Sequence, residues 1–157
     1  LAPHEINESH LASIFNLWPK ALRFSEMASY DAALVADSKV LVIDNIGMLS
    51  SLYGYGQLAY IGGGFGVGIH NTLEAATYGI PVLFGPNFKK FQEAKDLVQN
   101  GSGFAIGSVQ ELKKVFAVLQ DQAVRQEAGK LAGAYVLQKA GATAIIMKYL
   151  KSNSVKI

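Results

Sequence analysis

The chain of 157 residues contains no cysteine. This excludes disulfide bonds and thiolate chemistry, and it fits a reducing compartment. No apolar stretch approaches the roughly twenty residues that a membrane-spanning helix needs, and no signal peptide is recognisable. Lysine and arginine are scattered without a long run, so the formal net charge of +2 gives nucleic-acid binding little support.

The sequence also lacks the common catalytic constellations. No group of histidine and carboxylate residues has metal-ligand spacing, and no Ser/His/Asp or paired-carboxylate arrangement is evident. We therefore expect no metal site.

Half of the residues are hydrophobic, which is enough for one domain with a real core over residues 1–157. Short continuous apolar runs are typical of a parallel sheet that is buried on both faces. These runs alternate with helical patterns, which predicts an α/β fold with a doubly wound, Rossmann-like parallel sheet. Ligands of such sheets bind at the carboxyl ends of the strands.

The most informative stretch is Leu58–Pro86, which predicts a strand, a glycine loop, a helix and a second strand. Five glycines fall within seven residues after the strand, at positions 62, 63, 64, 66 and 68. Glycine allows positive φ angles and a close approach of the backbone to a ligand. The spacing fits neither G-x-G-x-x-G nor a Walker loop. A loop whose glycines only permit tight strand–helix packing remains the alternative.

Asn71 is predicted to be the N-cap of a helix over 72–78, with Glu74 in the capping-box position. A loop that leads into a helix N-terminus in an α/β fold is an anion site. Glu74 could accept hydrogen bonds from a ribose diol while backbone amides hold a phosphate, and His70 could donate to the phosphate. A purely structural role remains open for both side chains.

Other loops are expected at the same edge of the sheet. Leu1–Pro3 is predicted to end a first strand, and His4 and Glu5 follow it and could contact a phosphate or a base. A strand over 39–43 should lead into a helix over 46–55 capped by Asp44–Asn45, with Gly47 in its first turn.

A third such loop follows the strand that begins at Ile80. Gly85–Lys89 is predicted to be this loop, leading into a helix over 88–99 that would place Lys89 and Lys90 at its start. Cations are unfavourable at that end of a helix, so a ligand anion there is a weaker hypothesis. Later helices are predicted over 109–119, 121–138 and 140–150, with a frayed tail from Ser152 to Ile157.

Four segments resemble a known family: DNIGMLSSLY from Asp44, LAYIGGG from Leu58, GIHNTLEAA from Gly68, and IPVLFGPN from Ile80. Together they are similar to the carboxyl-terminal domain of the 3-deoxy-D-manno-octulosonic acid (Kdo) transferases. The resemblance runs from Ala2 to about Phe104. Its most specific part is Gly-x-His-Asn-x-Leu-Glu-Ala followed by Pro-Val-Leu-x-Gly-Pro.

This resemblance implies the carboxyl-terminal half of a glycosyltransferase B fold. It implies transfer of Kdo from CMP-Kdo to a lipid A precursor in lipopolysaccharide biosynthesis. CMP-Kdo is then a substrate, so no cofactor is expected. The nucleotide would bind near residues from both halves of the chain: His4, Glu5, Gly47, Met48, Gly63, Gly64, His70, Asn71 and Glu74.

The family's amino-terminal half would hold the acceptor, the catalytic base and the membrane-facing surface. We therefore expect the chain to be an inactive fragment of an enzyme at the cytoplasmic face of the inner membrane. Some members have arginine where this chain has His4-Glu5, and many have glutamate at the position of Met48. The alternatives are a UDP-sugar-using glycosyltransferase or epimerase domain, and a non-catalytic nucleotide-binding module.

Overall fold

The computed structural model describes residues 1–152. Their fold is α/β: helices alternate with short strands, and every strand pairing is parallel. The chain divides into two compact units with a boundary between Leu52 and Tyr53. No helix within the described residues is long and apolar enough to cross a membrane.

The first unit contains a two-stranded sheet and three α-helices. In chain order its elements are α1 (Glu8–Leu17), β1 (Leu22–Arg23), a 3₁₀ helix (Phe24–Ser29), α2 (Ala32–Asp37), β2 (Leu41–Val42) and α3 (Leu49–Leu52). Helix α1 begins where the Asn7 side chain accepts the His10 N–H at 2.8 Å. Leu11 and Ile14 of α1 pack with Val42 of β2 in a small core.

Two predictions for the first unit are wrong in their boundaries. Leu1–Pro3 is not a strand, although Leu1 exchanges two hydrogen bonds with β2 and the residue after it. The helix predicted over 46–55 begins only at Leu49. Asp44 does not cap it, because its carboxylate accepts the N–H and hydroxyl of Ser25 at 2.9 and 2.6 Å. Asp44 therefore fixes the start of the 3₁₀ helix instead.

The second unit contains a three-stranded parallel sheet in the order β3–β4–β5. Its elements are a 3₁₀ helix (Tyr53–Tyr55), β3 (Ala59–Ile61), α4 (Leu73–Thr77), β4 (Val82–Phe84), α5 (Gln92–Gln99), β5 (Gly103–Ala105), α6 (Val109–Leu119), α7 (Gln122–Lys139) and α8 (Ala142–Ser152). All three residues of the central strand β4 are buried, as a sheet covered on both faces requires. The strand, helix and strand predicted around the glycine loop are confirmed.

The core of the second unit joins β3, β4, α4, α5 and α7. Helix α7 packs closely on the end of α4 through Gly129, which is buried. A Cβ atom at Gly129 would overlap the carbonyl oxygen of Gly79, the residue with φ +66° that follows α4. The close fit of these two glycines therefore fixes the carboxyl end of α4 against α7.

The helix predicted over 88–99 starts later than expected. Helix α5 begins at Gln92, and Lys89 and Lys90 lie in the preceding turn rather than in its first turn. The predicted helices at 109–119, 121–138 and 140–150 are confirmed within two residues at each end as α6, α7 and α8. Residues 153–157 of the predicted tail lie outside the described residues.

Candidate functional site

The glycine loop, Gly62–Gly68, leaves the carboxyl end of β3 and returns towards α4. The Gly66 N–H donates to the Gly63 carbonyl at 2.9 Å, which closes a tight turn. Gly63 has φ +86°, and a Cβ atom there would overlap the carbonyl oxygen of Gly68. The His70 N–H donates to the Gly62 carbonyl at 3.2 Å and closes the base of the loop. The sequence of this loop thus dictates a compact backbone shape.

Gly64 lies at the buried side of the loop, directly against Gly85 at the end of β4. A Cβ atom at Gly64 would come within 2.6 Å of the Gly85 backbone, and one at Gly85 within 2.5 Å of the Gly64 carbonyl carbon. Real Cβ atoms do not approach backbone atoms so closely. Gly64 is therefore needed for packing, which supports the structural alternative at this one position. Its predicted contact with a nucleotide remains a prediction.

The turn after β4 holds the loop through Asn87. The Asn87 N–H donates to the Gly64 carbonyl at 2.9 Å, and the side-chain amide donates to the Gly66 carbonyl at 2.7 Å. The ring of Phe91 packs beside Gly68. Two of the four predicted loops, 62–71 and 85–89, therefore do come together. Sequence reasoning missed the role of Asn87, although it stands in the Gly-Pro-Asn turn that ends the family-like segment.

Several amides of the loop have no partner within residues 1–152. The N–H groups of Gly64, Phe65 and Val67 donate no hydrogen bond there. Phe65 and Val67 are exposed on the outside of the loop. Free N–H groups close together in a glycine-rich turn can form the kind of concave backbone surface that binds anions. This part of the chain can therefore accept a phosphate or a carboxylate group.

Asn71 and Glu74 form a connected pair at the start of α4. The Asn71 side-chain oxygen accepts the Leu73 N–H at 2.9 Å, and its amide donates to Glu74 Oε1 at 3.0 Å. The N-cap position itself is Thr72, one residue later than predicted. Asn71 still supplies the capping hydrogen bond, and it holds the exposed carboxylate of Glu74 in one orientation. Oε2 of Glu74 accepts no hydrogen bond within residues 1–152.

His70 and Tyr53 border this pair. The His70 ring lies beside Gly62 and Gly63, with its Cδ2 atom 3.4 Å from where a Cβ atom of Gly63 would stand. Burial, and then the charge of Glu74, raise the pKa of Tyr53. Tyr53 is therefore a neighbour of the candidate site that sequence reasoning missed, and its position in a predicted helix gave no signal of the proximity.

Thr72 carries a polar atom that is buried without a partner. Its side chain is 1% exposed, and its hydroxyl makes no hydrogen bond within the described part of the chain. A buried hydroxyl without a partner costs free energy on the order of 1–3 kcal/mol. This destabilising hydroxyl lies next to the loop, between Asn71 and Leu73.

The first unit contains the other predicted site residues. His4 and Glu5 are exposed in the segment before α1, where Glu5 accepts a hydrogen bond from the Asn7 amide at 3.3 Å. Gly47 has φ +95° in the bend before α3, so it is not in the first turn of a helix as predicted. The Met48 sulfur accepts the side-chain amide of Asn45 at 2.8 Å.

Charge in the first unit is concentrated at the carboxyl end of the two-stranded sheet. Arg23 donates to both carboxylate oxygens of Glu8, at 2.8 and 3.3 Å, and lies over the ring of Phe15. Burial acts to raise the pKa of Asp44, but the hydrogen bonds from Ser25 outweigh it and lower this pKa. These contacts satisfy the charged groups internally. Within residues 1–152, no cluster of three histidine or carboxylate residues could hold a metal ion.

The chain is similar in sequence to several known enzymes. It is 32% identical over 142 residues to the 3-deoxy-D-manno-octulosonic acid transferase of Aquifex aeolicus (strain VF5), which covers 87% of the chain and 38% of that enzyme. It is 32% identical over 116 residues to the transferase of the same name from Chlamydia pneumoniae, covering 71% of the chain and 24% of that enzyme. No protein-family model matches the chain.

The fold is similar to a solved domain. The crystal structure of the C-terminal CMP-Kdo binding domain of WaaA from Acinetobacter baumannii matches with a TM-score of 0.67, over 87% of the chain and 72% of that domain, at 20% identity. The predicted α/β fold is therefore confirmed, since the chain shares it with this domain. The resemblance to the Kdo transferases is likewise confirmed by the sequence matches, and the chain spans 24 to 38% of the length of these two relatives.

Proposed function

We propose that this chain is the donor-binding domain of a glycosyltransferase that transfers Kdo from CMP-Kdo to a lipid A precursor. The observation that carries the proposal is the second-unit site. There, unpaired loop amides lie in the same strand–loop–helix segment as a carboxylate that a neighbouring side chain holds in place. A nucleoside monophosphate needs both: donors for its phosphate and an acceptor for its ribose diol. The sequence similarity to Kdo transferases supports the same donor.

Each group would have a defined task. The amides of Gly64, Phe65 and Val67 would bind the phosphate of CMP, whose charge grows as the bond to the sugar breaks. Oε2 of Glu74 would accept hydrogen bonds from the ribose hydroxyls, since Oε1 is already bonded to Asn71. His70, beside the loop, would add a donor to the phosphate. This fixes the leaving group in the orientation that it needs for transfer.

The remaining chemistry would belong to other parts of the enzyme. A carboxylate outside this chain would take the proton of the acceptor hydroxyl as its oxygen attacks the anomeric carbon of Kdo and CMP departs. The same outer part would bind the lipid A precursor and place the enzyme at the cytoplasmic face of the inner membrane. The isolated chain would then bind donor without turning it over, and Kdo transfer by the chain alone would contradict the proposal.

The test is a titration of the chain with CMP and, separately, with UDP, while backbone amides are followed by NMR. We expect CMP to shift the amides between Gly62 and Glu74, and UDP to shift them less. Equal or larger shifts with UDP would instead favour a UDP-sugar enzyme. Shifts that miss the loop altogether would reject the site.

A matched pair of variants identifies the role of the carboxylate. Glu74→Gln keeps the shape of the side chain but removes its charge. CMP should then bind about two- to tenfold more weakly, because a hydrogen bond to a neutral acceptor contributes roughly 1 kcal/mol less than one to a carboxylate. Glu127→Gln, on the exposed face of α7, is the control, because its ion pair with Lys130 at 3.7 Å is exposed. The proposal is contradicted when the two variants bind CMP equally well.

A further inference from the structure

Asn87 is the residue that orients the glycine loop. Its N–H and its side-chain amide bond two carbonyls of the loop, those of Gly64 and Gly66, at 2.9 and 2.7 Å. We propose that Asn87 is a positioning residue, which turns the amides of Phe65 and Val67 towards the phosphate of the bound nucleotide. This inference rests on the proposed function for the identity of the ligand, but its first step is a property of the free protein.

The orientation follows from the geometry of the peptide group. In a trans peptide the C=O and N–H bonds point in opposite directions. Because the Gly64 carbonyl points at Asn87, the N–H of Phe65 must point away from it. The Gly66 carbonyl also points at Asn87, so the N–H of Val67 points away as well. Both amides lack a partner within residues 1–152, as this arrangement requires.

The side chain of Asn87 is specific to this task. Any residue but proline at position 87 would keep the backbone bond to Gly64, because only the main-chain N–H makes it. The bond to Gly66 needs a short side chain with a donor, and asparagine provides one. Without this bond the peptide group between Gly66 and Val67 would be free to rotate, since glycine restricts its backbone least. Asn87 therefore restrains the backbone at Gly66, which the glycine itself would leave mobile.

The experiment compares Asn87→Ala with Asn16→Ala, a change at an exposed asparagine of α1. Dissociation constants for CMP and for cytidine, which has no phosphate, are measured for both variants and for the unaltered chain. We expect Asn87→Ala to weaken CMP binding about two- to tenfold, as for one lost hydrogen bond, and to leave cytidine binding unchanged. Asn16→Ala should leave both constants unchanged.

A second measurement follows the loop without ligand. The NMR signals of the Phe65 and Val67 amides should shift and their order parameters should fall in Asn87→Ala, whereas those of β5 should not change. Asn87→Asp has the same shape but cannot donate, so it should loosen the same two amides. The melting temperature shows whether the fold is intact, and only variants that keep it are compared.

The outcomes separate the two proposals. CMP affinity equal to that of Asn16→Ala, or an equal loss for CMP and cytidine, overturns the role of Asn87. If the unaltered chain binds no CMP, the proposed function fails, and the free-protein amides then decide on Asn87 alone. Unchanged amides would reject its role in orienting the loop, and shifted amides would support it.

Discussion

Replacing Gly129 with alanine tests the packing that fixes α4. The added Cβ atom would overlap the carbonyl oxygen of Gly79 and lie 3.0 Å from its carbonyl carbon. Both are backbone atoms that cannot rotate aside, so α7 has to move away from α4. Overpacking of this kind costs about 1–3 kcal/mol, and alanine recovers about 1 kcal/mol of helix propensity over glycine. We expect a net loss of up to about 2 kcal/mol in the free energy of unfolding.

Gly133 provides the matched control, one turn further along the same helix. A Cβ atom there would meet Gly79 Cα at 3.5 Å, an ordinary van der Waals contact. Gly133→Ala should therefore gain about 0.5–1 kcal/mol from helix propensity alone. Opposite signs from the same substitution in one helix cannot come from propensity, so the difference isolates the contact between the two helices.

Urea unfolding followed by far-UV circular dichroism measures both variants. The single tryptophan, Trp18, caps the carboxyl end of α1 in the first unit, so its fluorescence does not report on this contact. Because α4 carries Glu74, Gly129→Ala should also weaken CMP binding, and Gly133→Ala should not. Equal stability of the two variants would refute the packing argument.

Three further predictions follow from the hydrogen bonds. Asn71→Ala removes a helix cap and should cost about 1 kcal/mol by urea unfolding; an unchanged free energy of unfolding would contradict the capping role. Ser25→Ala removes one of the hydrogen bonds that hold the pKa of Asp44 low. A carboxylate whose pKa is lower in the folded than in the unfolded protein stabilises the fold at pH values above its unfolded pKa. The stability difference from the unaltered chain should therefore be largest near neutral pH and shrink as the pH falls below about 4. Burial, and then the hydrogen bond to Asp96, raise the pKa of Tyr135 to about 12. A group whose pKa is higher in the folded than in the unfolded protein stabilises the fold at pH values below its unfolded pKa. The stability difference between the unaltered chain and Tyr135→Phe should therefore decrease as the pH rises from about 10 to 12. A difference that does not depend on pH would refute this.

The glycine loop shows how much of the site could be predicted. Dense glycine between two apolar runs predicted the strand–loop–helix–strand order, because local propensity and burial pattern agree there. The Asn71–Glu74 pair was also predictable from its spacing, although its hydrogen bond runs between the side chains rather than to the Asn71 backbone. Local chemistry therefore identified this part of the candidate site.

The predictions that were wrong or incomplete involve contacts between residues far apart in the sequence. Asp44 was expected to cap the helix that follows it in the chain. Its carboxylate instead accepts hydrogen bonds from Ser25, which lies 19 residues earlier. Asn87 was missed for the same reason, because its partners Gly64 and Gly66 lie more than twenty residues away. No local pattern encodes such pairs, since they depend on which strands become neighbours.

The contact between Gly64 and Gly85 means that one part of the loop tolerates no substitution, whereas another part does. Two main chains touch there with no side chain between them, so neither position offers a means of altering what the loop binds. The side chains that point outward, Phe65 and Val67, have no such restriction. Within the loop, a change in what it binds would therefore have to be engineered on those two exposed side chains, while the backbone beneath them is left as it is.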